Sequence, residues 1–339
     1  MLVAPIYAAW PQGHPRMKLE LPRFHQARVL VLGDIMLDRY WEGPTSRISP
    51  EAPVPVIDIE SESFRFGGAA NVTYNVKTLG AEVMPVGIIG DDGSGIRLKK
   101  LFGEKDLPVD GLIIDQDRPT TVKTRIIAHN QHVVRTDREM RHPLSRKVQD
   151  RLVDFIKAHL SELSGIILED YNKGLLVPRF IHTVIEMAGK RNVMVFVDPK
   201  FDHFFEYQNV TVFKPNRKEV VDRMGLRLDS DEAIERVGEK LMERLRCKYL
   251  LITLGEEGMM LFEPGKEPNK VPTRAVKVHD VSGAGDTVIA AMTTAMTAGA
   301  SVQEAASIAN HAAGIVCGEV GIVPIDRDRL YESLLEDME

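Results

Sequence analysis

The sequence of 339 residues contains little cysteine and no excess of basic charge. Its two cysteines, Cys247 and Cys317, lie far apart and make no disulfide framework, which favours a reducing compartment. No apolar run reaches the roughly 18 residues of a membrane-spanning helix. The net charge of -6 argues against a general nucleic-acid-binding protein, which would carry a basic patch. We therefore expect a cytoplasmic protein with neither a membrane nor a nucleic-acid partner.

The N-terminal stretch lacks a basic segment followed by a long apolar one, so it is a poor secretory signal. We interpret residues 1–24 as a disordered extension and residues 25–339 as the folded domain. Hydrophobic residues make up 44% of the chain, which suffices for a core of that size.

Strand-like and helical segments alternate through most of the chain. Apolar runs typical of strands buried on both faces occur at 28–34, 83–90, 165–170, 193–199, 210–216 and 249–255. Residues 146–160 show helical spacing, and residues 301–318 begin with a capping box of Ser301 and Glu304. This order predicts an α/β fold with a mostly parallel sheet flanked by helices.

Two segments interrupt the alternation. Residues 41–63 are rich in proline and have no helical spacing, and residues 119–139 alternate like β-strands without an intervening helix. Both predict antiparallel strands outside the main sheet, which would form a small β lid over it.

Glycines and polar residues follow several predicted strands, where open α/β sheets bind ligands. Asp34 and Asp38 follow the first strand. Gly67 and Gly68 precede a predicted helix and allow a ligand to approach the backbone, while the Asn71 amide could reach a hydroxyl. The alternative is a plain glycine turn in which Asn71 only begins the helix.

The segment FKPNRKE places Asn216 and Glu219 three residues apart. One amide and one carboxylate could hold a hydrated Mg²⁺, which usually keeps several water ligands. The competing interpretation is a helix start with Asn216 as N-cap and Glu219 at the third helical position. Both interpretations can hold for the same residues.

The segment VHDVSGAGDTVIAAM, residues 278–292, leads through small residues into an apolar helix. N–H groups at a helix start bind anions, and Gly283, Ala284 and Gly285 leave room for a phosphate. Asp286 could then take a proton from a substrate hydroxyl as general base, typically worth about 100- to 10,000-fold in rate. Alternatively, Asp286 only complements the helix dipole, which is worth roughly 0.3–1 kcal/mol.

Two common nucleotide motifs are missing from the sequence. It has no G-x-x-x-x-G-K-[ST] loop and no G-x-G-x-x-G after the first strand. The second absence weighs against a nicotinamide-linked oxidoreductase, which α/β alternation alone would permit. We therefore predict that the protein binds phosphate through a motif other than these two.

These segments resemble the signatures of the ribokinase/PfkB carbohydrate kinases. DVSGAGDT (280–287) resembles their C-terminal signature, and GGAANVTYNVKTLG (67–80) resembles their N-terminal one. Between these two signatures, three shorter segments occur in the order typical of the family: GDDGSG (90–95), NRKE (216–219) and TLGEEGM (253–259). The resemblance covers about residues 28–335. It implies a ribokinase-like fold and phosphorylation of a sugar with ATP and Mg²⁺.

The resemblance also implies roles by position. Asp286 matches the family's catalytic base. The family's anion hole corresponds to Gly283, Ala284 and Gly285. The implied ATP-binding residues are Asn216, Glu219, Thr253, Gly255, Gly258 and Ser282, with Mg²⁺ held through water by Asn216 and Glu219. The implied sugar-binding residues are Asp38, Gly67, Gly68, Asn71, Glu169 and Lys173. Asp280 and Ser282 match positions that hold a monovalent cation in some relatives, so K⁺ is a candidate cofactor.

Within the family, residues 32–56 and ILEDYNKG (167–174) resemble kinases of D-glycero-D-manno-heptose 7-phosphate. This implies phosphorylation of the anomeric hydroxyl in the ADP-heptose pathway to lipopolysaccharide inner core. Kinases of ribose, fructose 1-phosphate or a nucleoside, and a non-catalytic sugar-phosphate sensor, are the alternatives. Many such kinases are fused to a C-terminal nucleotidyltransferase, for which this chain has no room. We expect a standalone kinase, and the alternative is an excised kinase half of such a fusion.

A sugar 7-phosphate needs a basic clamp far from Asp286, and arginine suits bidentate phosphate binding. The lid segments offer Arg47, Lys123, Arg125, Arg135 and Arg138. Strand alternation predicts that Lys123, Arg125 and Arg135 share a face. We expect one or two of the five to bind phosphate, against the alternative of solvated surface charges. The resemblance further implies a homodimer formed through the lid.

Overall fold

The computed structural model describes residues 6–7, 18–19, 23–129, 131–273, 280–319 and 321–336, so most of the predicted extension 1–24 lies outside the described residues. The strands are β1 (Ile6–Tyr7), β2 (Lys18–Leu19), β3 (Arg28–Gly33), β4 (Ile35–Glu42), β5 (Thr45–Ile48), β6 (Pro55–Ile57), β7 (Ser61–Gly68), β8 (Glu82–Gly90), β9 (Leu112–Asp115), β10 (Thr121–Ala128), β11 (Gln131–Arg138), β12 (Gly165–Glu169), β13 (Met194–Asp198), β14 (Val212–Phe213), β15 (Tyr249–Thr253), β16 (Met259–Phe262) and β17 (Asn269–Val271). The α-helices are α1 (Ala69–Thr78), α2 (Gly93–Glu104), α3 (Arg146–His159), α4 (Pro178–Gly189), α5 (Arg217–Met224), α6 (Asp231–Leu245), α7 (Ala284–Thr297), α8 (Val302–Cys317) and α9 (Arg327–Glu336).

The main sheet has nine strands in the order β17-β16-β15-β14-β13-β12-β3-β8-β9. The strands from β15 to β9 run parallel, and β16 and β17 complete one edge with antiparallel pairings. The predicted strand 210–216 is shortened to β14, followed by an isolated bridge between Asn216 and Thr253. Pro215 lies between the two and has no N–H to donate, which explains the interruption. The predicted, mostly parallel sheet is confirmed.

The two faces of the main sheet pack into separate cores. In β3, Val29 and Val31 contact the core that includes α1, α2, α7, α8 and α9, whereas Leu30 and Leu32 contact the core that includes α3, α4, α5 and α6. Successive side chains of a strand point to opposite faces, so a strand covered on both sides must be apolar throughout. The result is a three-layer α/β fold.

The two helices predicted from spacing are present with their caps. Ser145 precedes α3 and accepts a hydrogen bond from the N–H of Val148. The capping box of Ser301 and Glu304 begins α8, and Gly318 ends it. No helix within the described ranges has the length and hydropathy needed to cross a bilayer.

A second, small sheet has the strand order β11-β10-β4-β7. The pairs β10/β11 and β4/β7 are antiparallel, and a parallel pairing of β10 with β4 joins them. Strands β5 and β6 form a separate antiparallel pair. The predicted small sheet is confirmed, but β4 begins at Ile35 and β7 ends at Gly68, outside the segment 41–63 expected for it. The parallel pairing at its centre was not predicted.

Candidate active site

The turn before α7 has the conformation that its glycines allow. Gly283 has a φ of 82°, in the left-handed region that glycine adopts without steric cost. A Cβ on Gly283 would lie 3.1 Å from Nδ2 of Asn71. The Ala284 N–H donates to the Val281 carbonyl, so the first-turn donors that follow it belong to Gly285 and Asp286. Such N–H groups suit an anion at the helix start.

Asp286 lies in the first turn of α7 and is only 5% exposed. Its Oδ2 accepts a hydrogen bond from Nδ2 of Asn71, and its Oδ1 accepts one from the hydroxyl of Tyr171, each at 2.8 Å. Burial raises the pKa of the Asp286 carboxyl to about 6, although the bond from Asn71 opposes this. Complementing the helix dipole would require neither the burial of this carboxylate nor its two hydrogen bonds from side chains. The role of Asp286 as general base stays a prediction.

Tyr171, which the sequence did not single out, is held by the loop that follows β12. Its backbone N–H donates to Oδ2 of Asp34 at 2.8 Å, and the N–H of Lys173 donates to the same oxygen at 3.1 Å. Asp34 follows β3, the neighbouring strand of the main sheet. Two adjacent strand ends therefore fix the loop that carries the Tyr171 hydroxyl to Asp286. The segment ILEDYNKG was recognised as a strand end, but no local pattern marks its tyrosine.

Replacing Tyr171 by phenylalanine is expected to lower kcat roughly 10- to 100-fold with little change in KM for the sugar. The change removes one hydrogen bond to a charged group, typically worth about 1.5–3 kcal/mol. Steady-state kinetics would test this, with Tyr74→Phe as control, because the ring of Tyr74 packs edge-on against Phe66. Equal kcat values for Tyr171→Phe and wild type would contradict the positioning role.

Two further buried carboxylates lie beside Asp286. Glu169 and Asp198 end β12 and β13 and are paired in parallel register. One oxygen from each of Glu169, Asp198 and Asp286 lies within 4.8 Å of the others. Glu169 is 0% exposed, and neither of its oxygens has a hydrogen-bond partner in the described part of the chain. Burial, followed by the charges of Asp198 and Asp286, raises the pKa of Glu169 well above its ordinary value.

Two lysines place positive charge at the same sheet edge. Lys214 is buried, and its Nζ lies 2.8 Å from Oδ2 of Asp198. Lys200 pairs with Oε1 of Glu219 at 2.7 Å. A Cβ on Gly285 would lie 3.6 Å from Nζ of Lys214 and 3.8 Å from Oδ2 of Asp198. The charged cluster therefore adjoins the glycine turn where an anion would bind.

The structure shows that Asn216 and Glu219 form a capping box at the start of α5. The Asn216 side chain accepts from the N–H of Glu219, and Oε2 of Glu219 accepts from the N–H of Asn216. Since Lys200 occupies the other Glu219 oxygen, direct metal ligation would require these contacts to change. A role of this pair in holding Mg²⁺ through water stays a prediction.

The other predicted nucleotide-side residues lie next to this box. Thr253 ends β15 and forms the isolated bridge with Asn216. Gly255 and Gly258 have φ values of 67° and 90°, and a Cβ on Gly258 would lie 2.1 Å from the Val271 carbonyl oxygen. Only glycine fits that contact.

Asp280 and Ser282, predicted to hold a monovalent cation, belong to one loop. The Asp280 carboxylate accepts hydrogen bonds from the N–H groups of Ser282 at 2.9 Å and Gly321 at 3.2 Å. Cation binding here, and contact of Ser282 with ATP, stay predictions.

Asp38 lies buried on the small sheet. Its Oδ1 pairs with Arg125 at 3.0 Å, and a Cβ on Gly67 would lie 3.1 Å from its carboxyl group. Burial raises the pKa of Asp38, and the charge of Arg125 opposes that rise. Arg65, the register partner of Asp38 in β7, donates to the carbonyl of Ile322. This face of the small sheet therefore points toward the loops of the main domain.

Three of the five predicted basic residues lie together on that face. Register pairs Lys123 with Asp137 and Arg125 with Arg135, and Lys123 and Arg135 both contact Asp137, at 3.1 and 2.9 Å. This group, Lys123, Arg125 and Arg135, is called the basic cluster below. Its members share a face, as predicted.

The remaining predicted basic residues lie outside the basic cluster. Arg138 pairs with Asp92 at 3.2 Å, and Arg47 lies exposed in β5. Arg138 is an odd number of residues from Arg135 along β11, which places it on the opposite face. Lys173 is buried and pairs with Glu139 at 2.7 Å, and Glu139 also lies 3.7 Å from Nζ of Lys123.

The carboxyl ends of the parallel strands, the glycine turn and the small sheet together define a ribokinase-like sugar kinase. The chain belongs to the pfkB family of carbohydrate kinases, whose model matches residues 26–326. The family expected from the two signature segments is thereby confirmed.

Two curated relatives show how much of a longer protein the chain resembles. It is 43% identical over 299 residues to the "Bifunctional protein HldE" of Pelobacter propionicus, covering 88% of this chain and 61% of that protein. It is 42% identical over 305 residues to the protein of the same name from Geobacter sulfurreducens, covering 90% and 62%. The chain thus spans about three-fifths of the length of these relatives. The expectation of a standalone kinase stays a prediction.

Solved structures share the fold at low sequence identity. Arabidopsis thaliana ribokinase, complexed with ribose and ATP, matches with a TM-score of 0.73 and 21% identity, covering 91% of this chain and 98% of that one. Escherichia coli phosphofructokinase-2 in complex with fructose-6-phosphate matches with a TM-score of 0.74 and 17% identity, covering 91% and 99%. The predicted ribokinase-like fold is confirmed.

Proposed function

We propose that the protein transfers a phosphoryl group from ATP to the anomeric hydroxyl of D-glycero-β-D-manno-heptose 7-phosphate, giving the 1,7-bisphosphate. The observation that carries the proposal is the buried Asp286 carboxylate, hydrogen-bonded by Asn71 and Tyr171 beside the glycine turn. The substrate class is supported by the resemblance of residues 32–56 and 167–174 to heptose 7-phosphate kinases, and by the basic cluster. As a step toward ADP-heptose, the reaction would take place in the cytoplasm.

In the proposed reaction, Asp286 accepts the proton of the anomeric hydroxyl while that oxygen forms a bond to the γ-phosphorus. The bond from the γ-phosphorus to the bridging oxygen breaks, and ADP leaves. The N–H group of Gly285, in the turn at 283–285, and that of Asp286 stabilise the charge on the phosphoryl oxygens, whereas the Ala284 N–H donates to the Val281 carbonyl. Lys214, beside Gly285, adds positive charge at the same place.

Mg²⁺ would accompany ATP and offset the charge of its phosphates. The capping box of Asn216 and Glu219 fits such an ion through water ligands, because its carboxylate and amide oxygens lie at a helix start that borders the sheet edge. K⁺ at Asp280 and Ser282 remains part of the proposal, to be tested by replacing K⁺ with Na⁺ in the assay.

The substrate is tested by measuring ADP release with Mg-ATP and five acceptors: D-glycero-D-manno-heptose 7-phosphate, fructose 6-phosphate, fructose 1-phosphate, ribose and adenosine. We expect kcat/KM to be highest for the heptose phosphate. A clear preference for another sugar would contradict the heptose phosphate as substrate. It would also show that the role assigned to the basic cluster is wrong. If none of the five acceptors gives ADP, the result would favour a non-catalytic sugar-phosphate sensor.

We also propose that two chains pair through the small sheet. Its edge strand β11 is exposed along its whole length, and Val133 and Val134 are exposed apolar residues there. Exposed edges and apolar patches favour association. Light scattering should give twice the 37.9 kDa of one chain, and Val134→Lys should lower the mass whereas Leu226→Lys, exposed after α5, should not. A monomeric wild-type protein would contradict this pairing.

A further inference from the structure

We propose that Arg65 is a positioning residue that couples the sugar side of the small sheet to the glycine turn before α7, so that sugar phosphate and nucleotide bind cooperatively. Arg65 lies just before the segment 67–80, and no motif of the sequence assigned it a role. The inference rests on the proposed function, because it needs a sugar phosphate and a nucleotide on one protein. It does not depend on which sugar is accepted.

Arg65 joins the small sheet to a loop of the main domain. It lies in β7, and its Nη1 donates a hydrogen bond to the carbonyl oxygen of Ile322 at 3.1 Å. Gly321 has a φ of 76°, and a Cβ there would lie 2.2 Å from the same Nη1. A side chain at position 321 would therefore collide with Arg65, and the left-handed backbone also favours glycine. The glycine makes room for the guanidinium group.

The loop that receives Arg65 packs against the glycine turn. A Cβ on Gly283 would lie 3.4 Å from Cγ2 of Ile322, so the Ile322 side chain adjoins the turn. The Asp280 carboxylate accepts hydrogen bonds from the N–H of Gly321 and from the N–H of Ser282, just before the turn. A shift of residues 321–322 would therefore disturb the turn through two separate contacts.

On its other side, Arg65 is connected to the predicted sugar-binding residues. It is the register partner of Asp38. The buried ring of Tyr40 contacts two guanidinium groups, with its centroid 4.9 Å from Cζ of Arg65 and 5.2 Å from Cζ of Arg125. Arg125 in turn pairs with Oδ1 of Asp38 at 3.0 Å. A sugar that binds Asp38 or Arg125 would thus act on groups in contact with Tyr40, and through Tyr40 on Arg65.

The alternative is that Arg65 only stabilises the fold by tying the small sheet to the main domain. Stabilisation alone would change thermal unfolding, but it would leave the effect of one ligand on the affinity for the other as it is. Coupling between two sites is the ratio of a ligand's affinities with and without the second ligand, and it is the same in both directions. This ratio therefore separates the two roles.

The experiment measures binding of D-glycero-D-manno-heptose 7-phosphate, or of the acceptor preferred in the ADP assay, by calorimetry with and without a non-hydrolysable ATP analogue and Mg²⁺. In the wild-type protein, we expect the analogue to tighten sugar binding at least about fivefold. Arg65→Gln should reduce this factor to about one, with a smaller effect on the affinity for each ligand alone. Arg65→Lys keeps a positively charged donor and should retain part of the coupling.

Arg39→Gln is the matched control on the small sheet. Arg39 lies next to Asp38 and Tyr40 in β4, so strand alternation places it on the opposite face. Its guanidinium group also contacts aromatic rings, those of Trp41 and Phe64. Arg39→Gln should therefore keep the wild-type coupling factor.

Gly321→Ala tests the same contact from the main domain. Its methyl group would occupy the place of the Arg65 guanidinium and should lower the coupling factor as Arg65→Gln does. In the Arg65→Gln background, Gly321→Ala should change the factor little further, because the contact is already lost. Gly225→Ala is the control for backbone strain: Gly225 has a φ of 66°, but a Cβ there would have no contact within 4 Å in the described part of the chain beyond its neighbouring residues.

Three results would overturn the inference: no coupling in the wild-type protein, wild-type coupling in folded Arg65→Gln, or equal loss of coupling in Arg39→Gln. Circular dichroism checks folding, and Gly321→Ala together with the wild-type ratio decides the question if Arg65→Gln does not fold. Binding is measured without turnover, so failure of the proposed phosphoryl transfer would appear separately, as coupled binding without ADP formation. That outcome would preserve the role of Arg65.

Discussion

Replacing Asp286 by asparagine is expected to lower kcat about 100- to 10,000-fold, the range that a positioned general base typically contributes. Asparagine has nearly the same shape but cannot accept the hydroxyl proton at neutral pH. Its oxygen can still accept the bond from Asn71, and its NH₂ group can donate to the hydroxyl of Tyr171. The buried polar groups therefore keep partners, and the fold should survive.

This expectation is checked by measuring kcat from ADP release and the affinity for the sugar phosphate by calorimetry. We expect sugar affinity to change little, because the lost interaction develops only as the proton moves. Wild-type turnover by a folded Asp286→Asn protein would show that the carboxylate is not the base. Loss of sugar binding and turnover together would instead indicate a role in holding the substrate.

Replacing Arg135 by glutamine is expected to raise KM for the heptose 7-phosphate roughly 10- to 100-fold with a smaller effect on kcat. The Arg135 side chain is 55% exposed, whereas those of Lys123 and Arg125 are 16% and 15% exposed and already held by acidic partners. Arg135 is therefore the member of the basic cluster most free to turn from Asp137 to a phosphate. A hydrogen bond to a charged group is worth about 1.5–3 kcal/mol, which sets the expected range.

Arg138 provides a matched control on the same strand. Its side chain is 60% exposed and pairs with Asp92 on the opposite face, so Arg138→Gln should keep the wild-type KM. A second control is the heptose without its 7-phosphate, for which Arg135→Gln and wild type should behave alike. If both arginine variants raise KM equally, a general loss of positive charge explains the effect and Arg135 is no specific ligand.

Much of the site was predictable because its residues belong to short, local patterns. The capping box of Asn216 and Glu219 depends on a spacing of three residues, and both of its interpretations could be stated in advance. The turn at 283–285 needs small residues next to one another in sequence. Alternation along a strand likewise placed the basic cluster on one face.

The residues that were missed interact over long sequence distances. Tyr171 meets Asp286 across 115 residues, and its loop is held by Asp34 across 137 residues. Lys214 and Asp198 were visible only as residues near strand ends. Nothing in their neighbouring sequence shows that the adjacent ends of β12 and β13 bring Glu169 and Asp198 into register.

By itself, the sequence determined the alternation of strands and helices, the glycine turn before α7 and the family, because hydrophobic periodicity and steric freedom are local properties. The tertiary structure alone decided which charges meet. It buried Glu169 without a hydrogen-bond partner among the described residues and gave Asp286 two donors. These outcomes depend on strand order and register, which bring together side chains from distant parts of the chain.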